Sequence, residues 1–158
     1  MPVTVTAPLL VVIDEFTREC LATEVGRTFT ARDVRLTLQY LFAVRGAPEH
    51  VRSDNGPEFI AKELQRWLDR AAVRTLYIRK ASPWENGYVE SFNSRLRDEL
   101  LDRELFLSVP EARYVLDEWR EEYNHRRPHG GLNRALVSAA LPAARLVSTS
   151  QWQSSYPG

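Results

Sequence analysis

Residues 9–25 read LLVVIDEFTRECLATEV. Leu9 to Ile13 is contiguous, apolar and rich in β-branched side chains, the pattern of a strand buried on both faces. Asp14, Thr17 and Arg18 sit in a polar turn, and Cys20 to Val25 returns as a second strand, so the stretch is expected to form a β-hairpin. Downstream, Thr30 and Asp33 make a capping-box-like start to a helix with the stripe Val34, Leu38, Leu41 and Phe42, which Gly46 ends before Pro48. A short strand is expected to finish near Ser53. Pro57 opens a second helix through Ala71, with Phe59, Leu64, Trp67 and Leu68 apolar, and residues 73–78 form another strand.

Residues 87–105 are helical by period, with Val89, Phe92, Leu96 and Leu100 on one face and Glu90, Asn93 and Arg97 on the other. Ser108 and Glu111 form a second capping box with Pro110 in the first turn. Val115, Leu116, Trp119 and Tyr123 carry the last clear helix towards Pro128. Beyond Leu146 no period is found, so a core over 1–146 and a mobile tail over 147–158 are expected. The alternation predicts an α/β layer with a mixed sheet. In such sheets ligand chemistry gathers at the carboxyl ends of strands, where Asp54 falls.

Composition narrows the function classes. The 158 residues suffice for one domain, and 44% hydrophobic with 27% charged residues describes a soluble globular chain. Lys plus Arg equals Asp plus Glu at 21 each, so nucleic-acid binding has to come from local patches rather than a bulk field. One cysteine, Cys20, excludes internal disulfides and a Cys-rich zinc site and fits a reducing compartment. No apolar run is long enough to span a bilayer, and residues 1–7 lack a basic leader, so a cytoplasmic, nucleoid-associated protein with no membrane partner is expected.

Asp54 in SDNG, taken alone, reads as a turn residue, and Glu90 alone reads as a solvated carboxylate near a helix N-terminus. Their combination is more specific. SDNGPEF at 53–59 with SPWENGYVESFNSRLRDE at 82–99, followed by EEYNHRRPH at 121–129, resembles the catalytic core of DDE insertion-sequence transposases. Within these it looks most like the second-frame product of the insertion-sequence-three group, and more distantly it resembles retroviral integrases. The resemblance covers residues 9–132. It implies a ribonuclease H-like fold and DNA cutting and joining with Mg²⁺ or Mn²⁺ in transposition. Asp54 matches the family's second acid and Glu90 its third, so both are expected catalytic metal ligands. The chemistry favours such acids: two ions ~4 Å apart can stabilise the attacking and leaving oxygens of a phosphodiester, and these ions prefer hard oxygen donors.

The chain departs from the family pattern at one point. In relatives the first acid lies on a strand that precedes the hairpin, whereas here only eight residues precede Leu9. Asp14 corresponds to the turn acid before FTREC and is read as a turn residue. Residues 2–7, PVTVTA, alternate like a strand but carry no carboxylate. The sheet is therefore expected to lack its first strand, leaving the hairpin and the Asp54 strand without their shared neighbour unless PVTVTA fills the gap. Catalytic deficiency follows as an expectation.

Supporting roles are assigned around the acids. Asn55 and Asn86 shape the backbone, and Asn93 orients Glu90. Arg97, two turns beyond Glu90 on its face, is expected to meet DNA phosphate, as are Arg79 and Lys80 before SPWENG. Arg126 and Arg127 lie in the closing motif, where phosphate contact is weighed against docking of the last helix. Trp84 is a candidate base-stacking residue or hydrophobic lid. Expected partners are DNA, both element ends and target, with a homo-oligomer or co-assembly with full-length transposase. The alternative is a non-catalytic fragment that binds DNA or co-assembles with a transposase and inhibits it.

Overall fold

The hairpin run Leu9 to Ile13 is buried on both faces, each residue no more than 2% exposed, as its unbroken apolar sequence requires. It lies in β1 (Val3–Asp14), which pairs antiparallel with β2 (Cys20–Val25) from Leu9↔Val25 to Ile13↔Cys20, with a register shift between Val12 and Ile13. The turn between them is built by Asp14, whose Oδ1 accepts the N–H groups of Phe16 at 2.9 Å and Thr17 at 3.1 Å. The computed structural model describes residues 3–26, 28–53, 56–77, 87–126, 136–140 and 143–148.

Strand alternation on β1 divides the core. Ala7, Leu9, Val11 and Ile13 join one apolar cluster with the later helices, while Leu10 and Val12 join a second with the earlier ones. The sheet is thus the middle of three layers. On the second face lies α1 (Ala31–Arg45), started by a Thr30–Asp33 capping box and ended where Gly46 adopts φ +88. The expected single helix over 57–71 is two helices, α2 (Pro57–Ile60) and α3 (Lys62–Arg70), broken at Ala61 with ψ 136. The carbonyls freed by the break find side chains: Gln65 Nε2 donates to Ile60 O at 2.9 Å, and Tyr77 OH donates to Phe59 O at 3.2 Å. Phe59, Leu64 and Leu68 still reach the core.

On the first face lie α4 (Gly87–Leu96) and α5 (Val109–His125). The helix begun by α4 widens into a π-type turn over Arg97–Leu101, where Asp102 N–H donates back to Arg97 O. This wide turn lets the consecutive Leu100 and Leu101 both be buried. At the start of α5, Ser108 Oγ accepts from Glu111 N–H while the Glu111 carboxylate reaches back to Leu107 N–H rather than to Ser108.

The strand order is β2-β1-β5-β3-β4, with β3 (His50–Ser53) parallel to β4 (Arg74–Tyr77). The position between β1 and β3 is filled by β5 (Leu136–Ala140), antiparallel to β1 and parallel to β3. β6 (Ala143–Ser148) continues along the same register of β1: Val11 faces Ala140, and Pro8 faces Ala143, three residues on in each chain. The hairpin and the Asp54 strand therefore share a neighbour after all, and it comes from the C-terminal side. PVTVTA does not fill the gap. Residues 3–7 prolong β1 and pair with β6, because a segment joined to β1 without a turn cannot fold back beside it.

Candidate active site

β3 delivers the chain to the sheet's edge. Val51 anchors it in the core and Ser53, its last residue, is buried. Asp54 and Asn55 come next in the chain and lie outside the described residues, as do Arg79, Lys80, Trp84, Asn86 and Arg127. Of the expected site residues, Glu90, Asn93, Arg97 and Arg126 are described.

Glu90 stands in the first turn of α4, exposed, and enters no ion pair among the described residues. Val89, Phe92, Leu96 and Leu100 hold its helix against the sheet, and α4 contacts β5, the strand beside β3. Asn93, three residues on and on the same side of the helix, is 9% exposed, and its Oδ1 has no hydrogen-bond partner among the described residues. An exposed carboxylate beside a buried, unsatisfied amide oxygen is a hard-oxygen environment, which suits a divalent cation or a water bound to one. Among the described residues no three His, Cys, Asp or Glu side chains cluster closely enough to hold a metal ion. Arg97 is exposed and forms no ion pair among the described residues, so it is paired neither with Glu90 nor with the neighbouring acids.

Register removes Asp14 from this edge. It faces Val137, which faces Val51, two residues before Ser53. Two strand spacings across and two residues along separate Asp14 from Ser53 by about 12 Å. Glu15 is buried and held by Arg52 at 3.5 Å. No residue in β5 is acidic, so the strand beside β3 brings no carboxylate.

The closing motif acts through a residue that sequence reasoning passed over. Asn124 Oδ1 accepts Cys20 N–H at 2.8 Å and its Nδ2 donates to Cys20 O at 2.9 Å, so one side chain pairs like a strand with the start of β2. Its only sequence signal was its place inside EEYNHRRPH. Arg126 is exposed and paired with Glu122 one turn back. Also unforeseen is a groove of about 280 Å³ between α4 and α5, lined by Arg95, Glu99, Arg103, Trp119, Glu122, Tyr123 and Arg126. A spacing of four residues from Arg95 to Glu99 and four more to Arg103 was its legible trace.

Comparison with known proteins agrees with this frame. Two models, each described as an integrase core domain, match residues 4–83 and 71–135. An insertion element IS407 protein of Burkholderia multivorans is 38% identical over 124 residues, covering 78% of this chain and 45% of that protein. The transposase for insertion sequence element IS904 of Lactococcus lactis is 28% identical over 132 residues, covering 79% of this chain and 51% of that protein. The chain thus spans about half or less of the length of these relatives. Among solved structures, the HTLV-2 integrase catalytic core domain in complex with magnesium shares the fold with a TM-score of 0.51 at 18% identity, over 78% of this chain and 79% of that one. A simian T-cell lymphotropic virus intasome chain gives 0.54 at 23% identity, over 65% of this chain and 38% of that one. With β2, nearly all of β1, the α4 motif and the closing motif inside the matched residues, the chain belongs to the integrase core domain family.

Proposed function

We propose that this chain is the catalytic-core portion of an insertion-element transposase that cleaves DNA and joins strands, with Asp54 and Glu90 as ligands of Mg²⁺ or Mn²⁺. The carrying observation is the placement of Glu90. It lies in the first turn of a helix locked over β5, next to the strand that leads into Asp54, with an Asn93 oxygen beside it that has no hydrogen-bond partner among the described residues. When bound, the metal would stabilise the charge that develops on the phosphodiester oxygens. The chain's own residues do the rest. Glu90 supplies a carboxylate with no ion pair among the described residues, and Asn93 holds it or a bound water in place. Asn55 and Asn86 set the backbone around the acids. Arg97, with no ion pair among the described residues and on Glu90's side of α4, meets a DNA phosphate, Arg79, Lys80 and Arg127 extend the basic contact, and Arg126, held by Glu122, adds to it from the end of α5, away from the acids.

A second reading is favoured by β5. The strand between β1 and β3 carries no carboxylate, so β5 adds no third acid to Asp54 and Glu90, and on this reading the chain acts by binding DNA or co-assembling with a longer transposase, in a homo-oligomer or as an inhibitor. Nicking of a supercoiled plasmid separates the two. Mg²⁺-dependent nicking that disappears in Asp54→Asn and in Glu90→Gln supports the enzyme. Retention of DNA in EDTA, with no nicking by the parent chain, supports the binder. Nicking that persists in both variants refutes the proposed ligands.

A further inference from the structure

We propose that the groove between α4 and the C-terminal half of α5 is a phosphate-binding site for the backbone of a DNA duplex, separate from the Asp54–Glu90 edge. It rests on the reading that the protein handles DNA, but names a different surface. Arg95 and Glu90 are five residues apart, which turns them about 140° from each other around the helix axis. A duplex phosphate held by Arg95 therefore lies on the flank of α4 facing away from Glu90.

The floor of the groove is a fixed aromatic platform. Trp119 and Tyr123 stack with centroids 5.4 Å apart and planes 18° apart, and Phe92 meets both edge-on at 5.5 and 5.0 Å. Arg95 lies over this platform, its Cζ 5.4 Å from the Tyr123 centroid, and its Nε donates to Glu99 at 3.0 Å. The guanidinium is thereby held in one place, so little of its rotamer freedom remains to be lost when it meets a ligand. Across the groove Arg126 is paired with Glu122. Arg103, past the π-type turn, is exposed and has no ion pair among the described residues.

Charge and shape choose the ligand. Three arginines against two glutamates leave one excess positive charge in the lining. A phosphodiester carries one negative charge, and guanidinium forks match its two free oxygens. The charges of Arg95 and Arg126 are met by acids one turn away along the chain, and Arg103 has no ion pair among the described residues.

The test is equilibrium binding of the full chain to a fluorescein-labelled mixed-sequence duplex, followed by anisotropy in EDTA at several salt concentrations. Arg103→Glu is expected to weaken binding at least about tenfold and to lower the slope of log K against log salt by about one. Arg103→Lys should recover most of the affinity. Arg32→Glu, the same charge change on exposed α1, should alter it by less than about twofold. Equal losses in Arg103→Glu and Arg32→Glu, or a loss in neither, overturn the proposal while leaving the DNA reading standing. Failure of the parent chain to bind any duplex overturns both. Inorganic phosphate, titrated against chloride at matched ionic strength, identifies the source. Phosphate that shifts the Trp119 indole signal only when Arg103 is present, with duplex affinity unchanged in Arg103→Glu, makes this a free-phosphate site and overturns the DNA assignment.

Discussion

Cys20 is where several forces meet on one residue. Its N–H and C=O are both taken by Asn124, and its thiol donates to Ala22 O at 3.5 Å inside the core. Burial, the largest influence, pushes the thiol pKa from 9.0 up to about 12, with the nearby Arg120 guanidinium pulling it back part of the way. The folded chain therefore keeps this proton to higher pH than the unfolded one. Its contribution to stability is complete below the unfolded value and is lost as pH rises from about 9 towards 12. Urea midpoints measured between pH 8 and 11 should fall with rising pH, and the fall should flatten in Cys20→Ala. An unchanged slope in the variant would place the titrating group elsewhere. Asp14 makes the complementary point: its role in the turn was readable from residue type alone, and its two accepted N–H groups are local.

Secondary structure follows the sequence where a local signal is complete. Thr30 and Asp33 exchange hydrogen bonds, with Asp33 N–H donating to Thr30 Oγ1 at 3.3 Å and Thr30 N–H to Asp33 Oδ2 at 2.9 Å. Thr30→Ala should then cost about 1 kcal/mol in chemical denaturation, and a loss within error would show that α1 is held by Val34, Leu38 and Leu41 packing alone. The α2–α3 break was not legible. Nothing in residues 57–71 forbids a continuous helix, and the freed carbonyls are satisfied by Tyr77 and Gln65, the first from a different element. The π-type turn at Arg97–Leu101 is similar in kind, since two adjacent leucines seek one core and the helix widens to admit both.

For the molecule as a whole, the decisive feature is β5 in the middle of the sheet. Ser138 faces Ile13 on one side and Arg52 on the other, so a proline there removes an interior N–H and leaves a carbonyl unpaired. Ser138→Pro is expected to lower the unfolding free energy by about 1–3 kcal/mol in urea titration, whereas Ser148→Pro, at the end of β6 opposite Val3, should cost much less. Equal and small effects would mean that β5 contributes little to joining β1 to β3. The same central position sets the chemistry, because the neighbour of β3 brings Leu, Val, Ser and Ala but no acid.

The hairpin, the α/β alternation, the Thr30–Asp33 capping box, the Ser108 N-cap and the family are all legible in the amino-acid order, because each is written in short-range pattern: apolar period, turn chemistry and contiguous motifs. Glu90, the proposed ligand, is likewise marked by a local motif. Which strand lies between β1 and β3, what docks the last helix, and where three arginines surround an aromatic floor emerge from long-range packing. Those depend on residues far apart in the chain, as with Cys20 and Asn124, and on which backbone edges remain unpaired once the local elements have formed. A strand of Leu, Val, Ser and Ala carries no label for its place in a sheet; pairing with two open edges gives it one.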